Sequence, residues 1–115
     1  TPHLAPMNRG ILATCYARPV DAKATSTASL LAALSRAYVK EPFVVVRPAS
    51  PSTKATLGSN CAHLTARYDE RTGYVIALCA IDNLTKGAAG GAVQAANVAL
   101  GLDETFGLSK VGMFP

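Results

Sequence analysis

The run "GYVIALCAID", residues 73–82, is apolar at nearly every position, so both of its faces need cover. A strand of that kind sits inside a sheet, with a neighbour on each side. One neighbour precedes it directly. "CAHLTARYD" (61–69) is joined to it by "DERTG", where Gly73 suits the left-handed position of a short hairpin loop. In residues 61–69, Cys61, His63, Thr65 and Arg67 share one face, and Ala62, Leu64, Ala66 and Tyr68 the other.

The remaining strands must come from earlier in the chain. "GILATCYARP" (10–19) reads as one, ended at Arg18-Pro19 because a residue before proline is pushed out of helical geometry. "FVVVRP" (43–48) is a short β-branched strand. "TSTASLLAALSRAYVKEP" (25–42) is the clearest helix, with Ser or Thr caps, a stripe of Leu30, Leu31, Leu34, Ala37 and Tyr38, and Pro42 as its stop. A second helix is expected over 85–100. "TPHLAPMNRG" (1–10) reads as an ordered loop, "ASPSTKAT" (49–56) as an exposed polar loop, and the tail after residue 100 as irregular. The order β-α-β-β-β-α implies an α+β fold, a mostly antiparallel or mixed sheet with helices on one face. Half of the 115 residues are hydrophobic and only 6% aromatic, so one domain with an aliphatic core of Val, Leu and Ile is expected.

Charge narrows the function classes. The net charge is +4, but the eleven Lys and Arg are scattered, which argues against a nucleic-acid-binding tail. No apolar stretch approaches the ~18 residues of a membrane helix, and no signal peptide opens the chain, so a cytoplasmic protein is expected. Cys15, Cys61 and Cys79 cannot all pair with one another and lack metal-ligand spacing. They read as buried, reduced thiols, and no metal site is expected.

"AIDNLTKGAAGGAVQAANVALG" (80–101) has the composition of a site. A strand ends in Asp-Asn and feeds a helix start made of Gly and Ala. The first turn of a helix offers unpaired N–H groups to an anion or polar ligand, and small residues allow close approach. Gly90 and Gly91 would each cost about 1 kcal/mol against Ala inside a helix, a cost that asks for a packing or functional reason. The competing structural reading is tight helix packing with Asn83 as a cap. Neither G-x-x-x-x-G-K-[ST] nor G-x-G-x-x-G occurs.

"TPHLAPMNRGILATCY" (1–16), "GSNCAHL" (58–64) and "AIDNLTKGAAGGAVQAANVALGLDETFGL" (80–108) together resemble the C-terminal part of the N-acetyl-gamma-glutamyl-phosphate reductases, relatives of aspartate-semialdehyde dehydrogenase. Gly91 departs from the resemblance, since that family often carries Gln there. The resemblance implies a longer enzyme of arginine biosynthesis, with an N-terminal dinucleotide-binding domain and a substrate and dimerisation domain to which residues 1–115 contribute. It also implies attack of a cysteine thiolate on an acyl phosphate, loss of phosphate, and reduction of the thioester to the semialdehyde by NADPH, with a histidine as acid/base. The family's N-P-G-C-Y-P-T and H-x-H-x-P-E motifs are not found in residues 1–115, so no catalytic residue is assigned and the fragment is expected to be inactive alone.

Among the residues present, Arg9 can grip an anionic group bidentately, and with His3 it is expected on the substrate side. Asn83 resembles the asparagine that related dehydrogenases place near the nicotinamide carboxamide, so the resemblance implies a cofactor-side position for Asn83, with Leu84 and Gly87 beside it. Cys15 lacks a cation or helix end to activate it, and His63 reads as a satisfied sheet histidine. Lys86 is left without a role. Partners implied are N-acetylglutamyl phosphate or the semialdehyde, phosphate, and further copies of the chain in a homodimer or homotetramer. The alternative class is a free-standing α+β ligand-binding or interaction module without catalysis.

Overall fold

A computed structural model describes residues 2–113. Four strands, β1 (Ile11–Ala17), β2 (Val44–Val46), β3 (Ala62–Asp69) and β4 (Tyr74–Ile81), form one mixed sheet in the order β1-β4-β3-β2. β4 is internal, as its two apolar faces require: it pairs antiparallel with β1 and with β3. β2 runs parallel to β3 at the far edge, because α1 (Thr27–Ala37) carries the chain across. The hairpin closes as expected, with Gly73 at φ +72°. The register sets Leu64 beside Cys79 and Cys79 beside Ala13, so these three share a face.

Helix α1 begins with a reciprocal cap. Ser26 Oγ accepts from Ser29 N at 3.1 Å, and Ser29 Oγ accepts from Ser26 N at 2.9 Å. Thr27 Oγ1 then accepts from Tyr68 N, which ties the helix start to β3. α1 ends at Ala37, five residues before Pro42. The intervening Val39 is β-branched, and the residue before proline disfavours helix. Leu34 and Tyr38 lean toward the small residues Ala13, Cys15, Ala77 and Cys79, leaving an open apolar groove of about 170 Å³.

Three expectations are corrected. Residues 49–56 are not merely an exposed loop: a short helix, α2 (Thr53–Thr56), buries Thr56, and Pro51 is buried ahead of it. The expected helix over 85–100 is split into a π-helical turn, Thr85–Ala89, and α3 (Gly90–Ala99). The core is not built of Val, Leu and Ile. The buried apolar residues are Phe43, Cys61, Ala66 and Ala80, alongside buried polar Thr56, Ser59, Asn60, Thr65, Asp82 and Asn97. Strand β1 has no buried residue, and large apolar side chains stand exposed on β1, α3 and the tail, among them Leu12, Tyr16, Val98 and Phe106. No helix among the described residues is long and apolar enough to cross a membrane.

Candidate functional site

The internal strand β4 delivers Asp82 and Asn83 to one end of the sheet, where residues 9–10, 58–60 and the π-helical turn converge. Asp82 is completely buried and its carboxylate is saturated. Oδ1 accepts from Arg9 Nη2 at 2.9 Å, Leu84 N at 2.7 Å and Thr85 N at 2.9 Å. Oδ2 accepts from Arg9 Nη2 at 2.8 Å and Gly58 N at 2.7 Å. Burial alone would raise the carboxyl pKa, but the donors from Gly58, Thr85, Arg9 and Leu84 outweigh it and hold the group ionised, well below the usual carboxylate range. The adjacent Asn83 makes a second tie to the same loop, its Oδ1 accepting from Gly10 N at 2.7 Å.

The first N–H groups of the turn are therefore occupied by the chain's own carboxylate, not left open to an anion. The capping role that Asn83 could have filled belongs to Asp82. The close approach implied by the glycines is also explained within the chain. A Cβ on Gly90 would collide with Asn60 Oδ1 and with the Thr85 carbonyl, and one on Gly91 would lie 2.7 Å from Lys86 O. Gly87 is different. It is exposed, and the nearest atoms to a Cβ there would be Asp82 O and Ile81 Cδ1 at 3.3 Å and Ile11 Cδ1 at 3.8 Å.

Beyond the turn, Gln94 on α3 gathers a polar cluster. Its Oε1 accepts from Asn60 Nδ2 at 2.9 Å and Lys86 Nζ at 2.5 Å, and its Nε2 donates to Glu104 at 2.5 Å. Asn97 Nδ2 donates to the carbonyls of Phe106 and Glu104, which fastens the tail to α3. Lys86, without a role from sequence, thus bridges the turn to α3 and lies 5.6 Å from the Phe43 ring.

Of the residues expected at a site, Arg9, Asn83, Leu84 and Gly87 come together at this end of β4. The Arg9 side chain is 32% exposed and grips a carboxylate, as its chemistry suggested, but the carboxylate is Asp82 of the same chain. Its Nε is buried without a hydrogen-bond partner among the described residues. His3 is exposed on the loop that leads to Arg9, and Leu84 is 52% exposed. Sequence reasoning missed Asp82, Asn60 and Gln94. The one available signal was an acidic residue at the end of an otherwise apolar strand.

His63 is not a satisfied sheet histidine: its Nδ1 is buried and unpartnered among the described residues. Burial, then the neighbouring Arg47 charge, push its pKa down, so it is neutral at physiological pH. The thiols are also not uniformly buried. Cys61 is buried and Cys79 half-buried, and burial pushes both thiols up, whereas Cys15 is exposed on β1. A disulfide-exchange reagent is therefore expected to modify Cys15 first in the native 115-residue chain. Loss of the fast phase in Cys15→Ser checks this, and equal rates at all three thiols would contradict it. No cluster of three or more His, Cys, Asp or Glu that could hold a metal exists among the described residues.

Comparison with known proteins places this geometry in a class. A family model described as "Semialdehyde dehydrogenase, dimerisation domain" matches residues 1–83, and the chain belongs to that family. Over its whole length it is similar to N-acetyl-gamma-glutamyl-phosphate reductases. It is 54% identical over 120 residues to that of Acidothermus cellulolyticus, and 52% over 118 to that of Streptomyces coelicolor. Identity to the Mycobacterium avium reductase is 48% over 117 residues. These alignments cover 100% of this chain but 34%, 34% and 33% of the relatives, so it spans about a third of their length. It aligns with their C-terminal third.

Proposed function

We propose that residues 1–115 are the C-terminal part of an NADPH-dependent N-acetyl-gamma-glutamyl-phosphate reductase, which converts the acyl phosphate to N-acetylglutamate semialdehyde in arginine biosynthesis in the cytoplasm. The observation that carries this reading is the end-to-end match to such reductases at about half identity. The dinucleotide-binding domain and the catalytic cysteine and histidine belong, on this reading, to the part of the enzyme outside these residues. The exposed apolar side chains of β1, α3 and the tail support burial against that part and against further copies in a homodimer or homotetramer.

The residues around Asn83 fit a nicotinamide. The Asn83 amide is fixed through Oδ1 by Gly10 N–H, and its nitrogen makes no hydrogen bond among the described residues. That leaves a neutral donor suited to a carboxamide oxygen. The exposed Leu84 and Gly87 give a flat apolar ring room to approach. When bound, the cofactor supplies the hydride. The chain's own task is orientation: Asn83 holds the carboxamide end, Leu84 offers an apolar wall, and Gly87 keeps the approach clear. On the substrate side, the exposed part of the Arg9 guanidinium, with His3 on the same loop, faces the anionic end of the acyl phosphate or semialdehyde.

Kinetics test the reading. The 115-residue chain is expected to show no turnover of acyl phosphate or semialdehyde with NADP(H). In the complete protein, Arg9→Ala should lower kcat/KM by roughly ten- to a hundredfold, the equivalent of one charge-assisted contact of about 1.5–3 kcal/mol. Asn83→Ala should lower kcat with folding nearly intact. Turnover by the short chain that Cys15→Ser abolishes, or unchanged kinetics in both variants, would overturn the assignment.

A further inference from the structure

We propose that Asp82 is a positioning residue that builds the loop carrying Arg9 and the turn carrying Asn83, Leu84 and Gly87 as one unit, so that a change at Arg9 is felt at the cofactor. This rests on the functional reading above.

The two segments are far apart in sequence and are joined side by side, Arg9 to Asp82 and Gly10 to Asn83. The Asp82 carboxylate is shared. The same Oδ1 that accepts from Arg9 also accepts from the amides of Leu84 and Thr85, while Oδ2 adds Gly58. A carboxylate has about four acceptor positions, so this one has none to spare. Withdrawing the guanidinium leaves a buried carboxylate without its cation, and the group then has to turn, take in water or bind a proton. Each response shifts the acceptor that fixes Leu84 N and Thr85 N. Asn83 lies directly between Asp82 and Leu84, so its amide moves with them. Arg9 itself bonds to no residue of the turn beyond Asp82. The side-chain route from Arg9 to the turn therefore runs through that carboxylate, beside the backbone tie from Gly10 to Asn83.

The test is NADP+ binding to the complete protein in the absence of substrate, by calorimetric titration, with Tm recorded on the same samples. Arg9→Met is expected to raise the Kd for NADP+ by about fivefold or more, the lower range of coupling between sites. Arg9→Lys, which keeps a cation within reach of Asp82, should recover part of the loss. Asp82→Asn should weaken NADP+ at least as much as Arg9→Met, and if it fails to fold the two Arg9 variants still decide. A purely structural role predicts a lower Tm with unchanged Kd in the folded fraction. That result, or a Kd within about twofold of the unsubstituted protein for Arg9→Met, overturns the proposal alone. Failure of the unsubstituted protein to bind NADP+ overturns the functional reading and the proposal with it.

Discussion

Replacing Asp82 by alanine is expected to destabilise the chain by about 3–5 kcal/mol, the range for removing one partner of a buried ion pair. Arg9 is 32% exposed, so water would screen part of its lost partnership and the ion-pair share falls at the low end. The part-buried amides of Gly58, Leu84 and Thr85 lose their acceptor as well, which adds to the loss where water does not replace it. The pH dependence follows from the depressed pKa. Against the carboxyl's own desolvation, the donors from Gly58, Thr85, Arg9 and Leu84 place the folded pKa below the unfolded value of about 3.9. This contribution is thus fully present above about pH 4 and is lost as the pH falls below it. Denaturant midpoints between pH 7 and pH 3 provide the check. Asp82→Asn should start lower and lose less on acidification, since Asp69 and Asp103, whose pKa values are also lowered, titrate in both proteins. Wild-type stability in Asp82→Ala, or an acid slope unchanged in Asp82→Asn, would contradict this account.

The sheet was legible because its signals are local. Two apolar faces made β4 internal, alternation assigned the faces of β3, and Gly73 marked the hairpin. What failed depended on distant partners. Nothing beside Asp82 announces Arg9, which stands 73 residues away, and nothing beside Asn60 announces Gln94. The chemistry assigned to Arg9 was right in kind, a guanidinium on a carboxylate. It looked to the substrate for that anionic group, whereas the structure shows the carboxylate of Asp82. Burial failed for a related reason. Periodicity marks the apolar face of β1 or α3 without showing what lies against it, so Cys15 read as buried though it is exposed. The π-helical turn was hidden because nothing in its sequence, "TKGAA", distinguishes a π-turn from the first turn of an α-helix. The turn is tied down at its start by the Asp82 carboxylate and by the Thr85 hydroxyl, which donates to Ser59 O at 2.6 Å.

Two glycines three residues apart separate packing from binding. Gly90→Ala is expected to lower stability by about 1–3 kcal/mol, the cost of forcing bulk into a filled site. The added Cβ would meet Asn60 Oδ1, and the Thr85 carbonyl carbon and oxygen at 2.9 Å. The carbonyl is backbone and cannot step aside, and moving Asn60 strains its bond to Gln94. The gain of about 1 kcal/mol that alanine normally brings to a helix is outweighed. At Gly87 the balance reverses. The nearest atoms, the backbone carbonyl oxygen of Asp82 and the end of the flexible Ile81 side chain, both lie at 3.3 Å, a milder crowding than the 2.9 Å at Gly90. Gly87→Ala should therefore stay within about 1 kcal/mol of the parent, the propensity gain offsetting the crowding. Gly87→Val in the complete protein then reports on the approach of the cofactor, and NADP+ affinity should fall by more than stability does. Measured together, Tm should drop for Gly90→Ala with NADP+ affinity kept in the folded fraction, and NADP+ affinity should drop for Gly87→Val with Tm nearly kept. If both variants lose Tm alone, the turn is packing throughout and the nicotinamide does not approach Gly87.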